Sequence, residues 1–155
     1  MVDFQSPIAL SDDRDLGSCR LRDESQLAKW RIWEDVFQVP LGTARRQGGS
    51  MALAVSPDEW IVIGDRPQAN DVVDITHVRA AIRLTGGGAR AALEYLCALD
   101  LSDAMTPNGA AARTLVAGVA TELIRDDVGG EPSYLMLMSR SFAQSVWERL
   151  EAAAQ

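Results

Sequence analysis

Alternating apolar and polar residues near the middle of the chain predict strand structure. Ala80, Ile82 and Leu84 alternate with Arg79, Ala81 and Arg83. A period of two places one face on a core and the other toward water or a partner. Residues 72–84 are therefore predicted to form one or two strands.

The hydrophobic period changes directly after this stretch. Thr85 stands where it would cap the open amides of a following helix, and Gly86-Gly87-Gly88 separate the two periods. Five apolar residues then recur at helical spacing and line one side of a predicted α-helix: Ala89, Ala92, Leu93, Leu96 and Cys97.

The same signals predict the elements on either side. The elements expected before residue 72 are a strand over 29–33, one or two helical turns over 34–39, a loop over 43–50, and an antiparallel hairpin of 51–55 with 60–63. The elements expected after residue 101 are strands at 111–117, 119–125 and 133–138, and a closing helix from 139 or 141 to 153. Ser141 and Gln144 have the spacing of a capping box for that helix.

The order of these elements indicates the fold class. Runs of antiparallel strands with two helices on one face predict an α+β fold, because a parallel doubly wound sheet needs a helix after nearly every strand. Trp60-Ile-Val-Ile63 and Tyr134-Leu-Met-Leu137 both follow polar turns, which leaves an internal duplication open. Residues 1–25 are expected to form an acidic arm with little regular structure, and residues 26–155 a single α+β domain.

Charge and composition narrow the functional classes. Fifteen basic residues against 22 acidic ones give a net charge of −7, which would repel a nucleic acid backbone. Two cysteines are too few for a disulfide framework, and no apolar run marks a secretory signal or a membrane span. We therefore expect a cytoplasmic protein that uses neither nucleic acid nor a membrane. Lys29, the single lysine, is expected to be a surface residue rather than a buried nucleophile.

The glycine run is the first candidate for chemistry. Gly86, Gly88 and Ala91 satisfy the G-x-G-x-x-[G/A] pattern at a strand-to-helix junction, which would suit a dinucleotide. A dinucleotide fold needs a second parallel strand soon after the helix, whereas Pro107-Asn108-Gly109 and a hairpin follow here. A tight packing turn is the favoured interpretation.

Titratable residues give no stronger candidate. His77 is the single histidine, which excludes a multi-histidine metal site and leaves either a general base or, more simply, a structural ring. Glu122, Asp126 and Asp127 resemble paired carboxylates, but Glu122 falls on a predicted strand and the aspartates open a turn, so a solvated hairpin end is the favoured interpretation. The sequence therefore predicts no catalytic, cofactor-binding or metal-binding residue in this chain.

Large apolar residues indicate either a core or a subunit interface. Four tryptophans are many for a chain of 155 residues. Trp30, Trp33, Tyr134 and Met136 are the candidates for contact with another subunit, and the alternative is that all of these side chains belong to the core.

Several short motifs, through their order and spacing over roughly residues 30–150, resemble the gamma subunit of heterotetrameric sarcosine oxidase. They are Pro57-Asp58-Glu59 before Trp60-Ile-Val-Ile-Gly64, Val73-Asp-Ile-Thr-His77, Arg83-Leu-Thr-Gly86, Leu99-Asp-Leu101, Gly109-Ala-Ala-Ala-Arg-Thr-Leu115, and Tyr134-Leu-Met-Leu before Ser139-Arg-Ser-Phe142. That subunit is similar to the folate-binding domain of the glycine-cleavage aminomethyltransferases. The resemblance thus implies a folate-binding-domain-like fold of duplicated β-α-β units.

The same resemblance bears on catalysis. The transferases carry a functional aspartate at the position that corresponds to Thr121, after a longer glycine-rich hairpin that is reduced here to Ala117-Gly118. A threonine cannot supply that carboxylate. The resemblance therefore implies a non-catalytic subunit that packs on a large, folate-domain-bearing subunit, in a complex that demethylates sarcosine to glycine.

The implied cofactors belong to the other subunits of that complex. These hold FAD, FMN, NAD and tetrahydrofolate, and this chain is expected to bind none of them. Two alternatives stay open at this point. One is a free-standing folate-binding or aminomethyltransferase-like protein that uses Glu122. The other is a small subunit of a related complex that acts on another N-methylated amino acid, such as N-methylglutamate.

Overall fold

A computed structural model of the protein describes residues 13–154, which contain eleven strands and two helices. The strands are β1 (Asp13–Asp15), β2 (Arg20–Asp23), β3 (Lys29–Ile32), β4 (Thr43–Gln47), β5 (Ser50–Ser56), β6 (Glu59–Ile63), β7 (Val72–Asp74), β8 (Arg79–Thr85), β9 (Ala111–Val116), β10 (Val119–Arg125) and β11 (Ser133–Ser139). The helices are α1 (Ala89–Glu94) and α2 (Ala143–Ala153), and a 3₁₀ turn at Arg140–Phe142 leads into α2.

The strands form two sheets in which all described pairings are antiparallel. One sheet has six strands in the order β1-β2-β8-β11-β10-β9, and the other has five in the order β4-β5-β6-β3-β7. The described part of the chain starts in the six-stranded sheet, crosses to the five-stranded sheet after β2, and returns after β7. Residues 24–28 and 75–78 make these two crossings.

Three apolar clusters hold the layers together. The largest joins both helices to one face of the six-stranded sheet through side chains such as Leu93, Met136 and Trp147. A second lies between the sheets and includes Leu53 and Leu137. A third covers the outer face of the five-stranded sheet beneath its loops. Burial of apolar area in these three layers is the main favourable contribution to stability.

The predicted α+β class, with antiparallel strands and helices on one face, is confirmed, and so are the β5–β6 hairpin and the three strands after residue 101. The loop predicted over 43–50 is wrong, because those residues form β4 and its turn into β5. Exposed side chains at Arg45 and Arg46 hid the strand, since both faces of this edge strand lack a large apolar residue. The helical turns predicted over 34–39 are also absent from that described segment.

Both predicted helix caps are wrong in detail. The Thr85 hydroxyl forms a hydrogen bond with the Ser133 hydroxyl at 2.7 Å, and no side chain caps α1, which ends at Glu94 rather than reaching Cys97. The Ser141 hydroxyl pairs with that of Ser139 at 3.0 Å because the 3₁₀ turn delays the start of α2.

The predicted N-terminal arm needs a correction over its described part. Residues 13–23 form β1 and β2, and β2 pairs with β8 in the register Leu21↔Leu84. Cys19 and Leu21 are buried in the helix-side core. The polar composition misled the prediction, because a single buried leucine fixes this strand. Residues 1–12 lie outside the described residues, and the domain boundary stays a prediction there.

Neither helix of residues 13–154 combines the length and the apolar composition that a membrane crossing requires.

Candidate functional site

The glycine run packs against the turn between β1 and β2. Gly86 has a φ of +131°, and a Cβ there would lie 2.9 Å from both the Cα of Cys19 and the carbonyl oxygen of Ser18. The Gly88 amide donates a hydrogen bond to that same Ser18 carbonyl at 2.9 Å. An amide that would contact the phosphates of a dinucleotide is therefore already bonded within the chain, which agrees with a packing turn.

Thr121 stands at the position that corresponds to the functional aspartate of the transferases, and Glu122 is the carboxylate next to it. Thr121 is buried, and its hydroxyl donates to the Val119 carbonyl at 2.9 Å. Glu122 is 1% exposed on the face that meets the other sheet. It accepts a hydrogen bond from Arg79 at 2.8 Å, and a nitrogen of Arg113, its cross-strand neighbour, lies 3.7 Å away.

The prediction of a solvated hairpin end is thus wrong for Glu122. Strand alternation puts Glu122 on the same face as Ile124, which packs between the sheets, and Leu123 on the helix side. Arg113 also forms an ion pair with Glu59 of the five-stranded sheet at 3.1 Å, so this group of charged side chains connects the two sheets. The Glu122 carboxylate is therefore buried and engaged by Arg79 rather than open to a substrate.

Asp126 and Asp127 are also paired rather than solvated. Asp126 accepts from Arg46 at 2.6 Å and from Arg83 at 2.9 Å, and Asp127 accepts from Arg125 at 2.6 Å. Burial raises the pKa of the Asp126 carboxyl, but the arginines outweigh that effect and hold the pKa below its usual range. Beside Arg83 lies a cavity of about 270 Å³ lined by four arginines and two carboxylates. Each of these arginines pairs with a carboxylate, either in the lining or next to it.

Lys29 is buried, so the prediction of a surface lysine is wrong. Its ammonium group is fully covered and donates to the carbonyl oxygens of Ser25 at 2.8 Å, Leu27 at 2.8 Å and Thr76 at 3.2 Å. Burial lowers the pKa of Lys29 to about 8. These acceptors come from both crossings between the sheets, a long-range feature that the local sequence does not reveal.

His77 lies exposed on the crossing from β7 to β8, at the rim of an open surface depression of about 650 Å³. Its role as a general base or as a structural ring stays a prediction. Both cysteines are buried free thiols, and burial raises the pKa of Cys19. Within residues 13–154, no group of three His, Cys, Asp or Glu side chains is placed to hold a metal ion.

The four interface candidates divide into two pairs. Tyr134 and Met136 are fully buried in the helix-side core, which removes them from any surface of this chain. They belong to β11, a central strand covered by helices on one face and by the five-stranded sheet on the other, so its continuous apolar run reflects burial on both faces. Trp33 is 46% exposed and Trp30 is half-buried. An interface at Trp30 and Trp33 stays a prediction.

Trp30 lies beside a surface depression of about 600 Å³ formed mainly by residues 66–72. Its indole N–H donates to the Gly64 carbonyl at 2.9 Å, and the guanidinium of Arg66 lies 5.4 Å from the ring centroid. No motif or hydrophobic pattern in the sequence points to Arg66. Its contact with Trp30 is hard to predict, because Arg66 lies in a loop 36 residues further along the chain than that ring.

The two sheets with helices on one face define the class: the protein has the fold of the folate-binding, aminomethyltransferase-like domains. No family model and no curated protein matches the sequence. Among solved structures, the chain is similar to a chain of the heterotetrameric sarcosine oxidase from Corynebacterium sp. U-96. The identity is 18%, the match covers 97% of this chain and 89% of that chain, and the TM-score is 0.76.

The chain is also similar to aminomethyltransferase T of the glycine cleavage system from Bartonella henselae, at 12% identity and a TM-score of 0.61. That match covers 84% of this chain but 44% of the transferase, so this chain corresponds to less than half of that protein. Together these structures confirm the fold relationship that the sequence motifs predicted.

Proposed function

We propose that this chain is a non-catalytic gamma subunit of a heterotetrameric sarcosine oxidase complex, in which it supports assembly. The observation that carries the proposal is the extent of the match to the Corynebacterium enzyme, 97% of this chain against 89% of that chain. Because nearly all of both chains is matched, the related chain is of similar small size. A whole small subunit is therefore a better counterpart than one domain of a large enzyme.

The surroundings of Thr121 support a non-catalytic role. The position lacks a carboxylate, and the neighbouring Glu122 is engaged by Arg79 and Arg113. Glu122, the alternative candidate for a catalytic carboxylate, is thus held in a structural ion pair. FAD, FMN, NAD and tetrahydrofolate then belong to the larger subunits, and the partner of this chain is the large subunit that bears a folate domain.

A cytoplasmic location is part of the same proposal. Cys19 and Cys97 are buried free thiols, which suits a reducing compartment.

The test is affinity purification of a tagged chain from its own organism, followed by native mass spectrometry. We expect a stable complex with large flavoprotein chains in fixed stoichiometry, and a visible flavin spectrum that the isolated chain lacks. Recovery of the chain alone, from cells in which the oxidase is demonstrably present, would overturn the proposal.

Calorimetry with tetrahydrofolate tests the non-catalytic part separately. We expect no heat of binding at high protein concentration. Binding that Glu122→Gln abolishes would instead indicate a free-standing folate-binding or aminomethyltransferase-like protein. The substrate preference of the co-purified subunits separates sarcosine oxidase from a related complex that acts on another N-methylated amino acid.

A further inference from the structure

Both sheets contain the same succession of strands. Five neighbouring strands of the six-stranded sheet have the order β9-β10-β11-β8-β2, and the five-stranded sheet has the order β4-β5-β6-β3-β7. In each sheet a three-stranded meander lies beside the strand that precedes it in the chain, and beyond that strand lies one from the other half of the chain. Among the described strands, β1 alone is left without a counterpart.

The two crossings between the sheets repeat the same hydrogen bonds, which fixes the correspondence residue by residue. The Asp23 carboxylate accepts a hydrogen bond from the Ser25 amide at 2.9 Å. The Asp74 carboxylate accepts one from the Thr76 amide, also at 2.9 Å. The hydroxyls of Ser25 and Thr76 each accept a further hydrogen bond from a backbone amide of the strand after the other crossing, at 3.0 Å and 2.9 Å. The strands that end at Asp23 and Asp74, β2 and β7, are therefore equivalent.

The equivalent edges of β2 and β7 differ in what covers them. The outer edge of β2 is covered by β1, in the register Arg14↔Leu21. The outer edge of β7, named here the β7 edge, pairs with no other strand of residues 13–154. Its middle residue, Val73, is 47% exposed. An open strand edge that carries an exposed β-branched residue is a template for another strand.

Two residues of the β7 edge offer backbone groups for such pairing. The Ile75 amide donates a hydrogen bond to the Lys29 carbonyl at 2.9 Å, so these two residues form a hydrogen-bonded pair. Bonded and non-bonded pairs alternate along an antiparallel ladder, so Val73 is the next residue whose N–H and C=O groups face β3. The N–H and C=O groups of Val72 and Asp74 therefore face outward.

Charge indicates the composition of the strand that fits this edge. Asp71 and Asp74 are exposed on either side of the two valines, and the whole chain has a net charge of −7. The nearest cation across the ladder, Arg31 opposite Val73, lies 3.7 Å from Glu59 and is already paired. At the equivalent edge, β1 places two aspartates opposite two arginines of β2. A covering strand of opposite charge to β7 would carry basic residues.

We propose that the β7 edge binds an extended segment of the larger subunit, which adds to the five-stranded sheet as a sixth strand in the place that β1 takes in the other sheet. The segment has an apolar residue beside Val73 and Lys or Arg residues beside Asp71 and Asp74. Main-chain hydrogen bonds to Val72 and Asp74 supply the pairing, and the charges supply selectivity. This inference rests on the proposed function, because it takes the occupant from that complex.

The first experiment measures affinity by biolayer interferometry, with larger subunits purified from cells that lack this chain. We expect Val73→Lys to raise Kd about tenfold, because the lysine repels a basic segment and removes an apolar contact. Val73→Thr keeps the β-branched shape and should raise Kd by less than about threefold. Val128→Lys is the matched control. Val128 is also 47% exposed but lies between β10 and β11 of the other sheet, and we expect less than about a twofold change there.

Substitution of Asp71 tests the charge of the segment. Asp71→Asn should raise Kd about threefold at low ionic strength and less at high salt, because salt screens exposed charges. A lower Kd for Asp71→Asn would mean that the segment is acidic, and would overturn the proposed chemistry.

Hydrogen exchange at single-residue resolution separates strand addition from side-chain contact, and it uses the wild-type chain. In the isolated chain we expect fast exchange at the amides of Val72 and Asp74 and slow exchange at those of Val73 and Ile75, which face β3. Binding of the larger subunit should slow exchange at Val72 and Asp74. Slow exchange at both amides in the isolated chain would mean that the chain itself or a second copy covers the edge, and would overturn the proposal.

The outcomes separate the two proposals. If the larger subunits do not bind the wild-type chain, the proposed function fails and this inference fails with it. If they bind, but Val73→Lys leaves Kd unchanged and the amides of Val72 and Asp74 stay fast, the inference alone is overturned. Melting temperatures of the Val73 variants equal to that of the wild type would show that a loss of binding is local.

Discussion

The ammonium group of Lys29 ties together two segments that are distant in sequence. Ser25 and Leu27 lie on the first crossing between the sheets, and Thr76 lies on the second. The backbone amide of Lys29 also contacts the second crossing, because it donates a hydrogen bond to the Thr76 hydroxyl at 2.9 Å. Three carbonyl acceptors satisfy all three donors of the buried cation, as its burial requires.

The titration of Lys29 is a direct prediction at this scale. Burial lowers its pKa from 10.5 to about 8. Because the chain has one lysine, selective ¹³C labelling at lysine Cε gives one NMR signal. We expect its titration midpoint near pH 8, and a midpoint above pH 10 would contradict the prediction.

The same shift has a consequence for stability. Between about pH 8 and 10.5 the unfolded chain keeps the Lys29 proton that the folded chain has released, so the free energy of unfolding should rise with pH. Urea unfolding of the wild type should show this rise, and Lys29→Met should lack it.

Glu122 is a second buried charged residue whose contribution to the free energy of unfolding can be measured. Glu122→Gln removes the charge that pairs with Arg79, and we expect a loss of about 2 kcal/mol in urea unfolding, because a partly buried guanidinium is left unpaired. Glu94→Gln is the matched control. Its ion pair with Arg90 is exposed on α1, so little change is expected there. Equal effects of the two substitutions would contradict this view of Glu122.

Among the elements, the turn from β8 into α1 shows how a sequence motif acquires its meaning from packing. Gly86 is buried and admits the backbone of Ser18 and Cys19, whereas Gly87 is exposed with nothing close to its missing Cβ. The β8–α1 turn therefore packs directly against the residues that link β1 to β2.

A pair of substitutions tests this turn. Gly86→Ala combines a φ of +131° with a Cβ that would lie 2.9 Å from backbone atoms, and we expect a loss of about 2 kcal/mol or more. Gly87→Ala, one residue away, should change stability by less than about 0.5 kcal/mol. Thermal unfolding followed by circular dichroism measures both, and comparable losses would show that the close approach is unimportant.

The sequence predicted the elements whose pattern reflects burial on one or two faces. Alternation in β8 and helical spacing in α2 led directly to their positions. It failed where partners far along the chain decide the outcome: Lys29 and Glu122 are charged residues that become buried through groups contributed by distant elements. For the candidate interface, the sequence selected Trp30 and Trp33 but could not separate them from buried Tyr134, because long apolar runs are equally typical of central strands.

At the scale of the whole molecule, the first described strands are part of the main sheet. Arg20–Asp23 pairs with β8, and Leu21 lies in the same core as both helices. A domain that began at residue 26 would lack this strand and leave one edge of β8 unpaired. The predicted boundary therefore has a testable cost.

A fragment of residues 26–155 should lose cooperative unfolding. The expected cause is exposure of the β8 edge and of the apolar surface that Cys19 and Leu21 cover. Urea titration and the dispersion of amide NMR signals measure it. Arg14→Ala in the full chain, which removes only an exposed ion pair with Glu151, should unfold cooperatively. Cooperative unfolding of the fragment, as in the full chain, would instead support a domain that begins at residue 26.

The strand order also fixes when each part of the molecule can be completed during synthesis. All strands of the five-stranded sheet, β3 to β7, have been made once Asp74 is added, whereas β2 must wait for β8, and β8 for β11. Until β11 emerges, the inner face of the five-stranded sheet lacks Leu135 and Leu137, which complete its cover. We therefore expect nascent chains that stall between residues 74 and 133 to be the species that aggregate or engage chaperones.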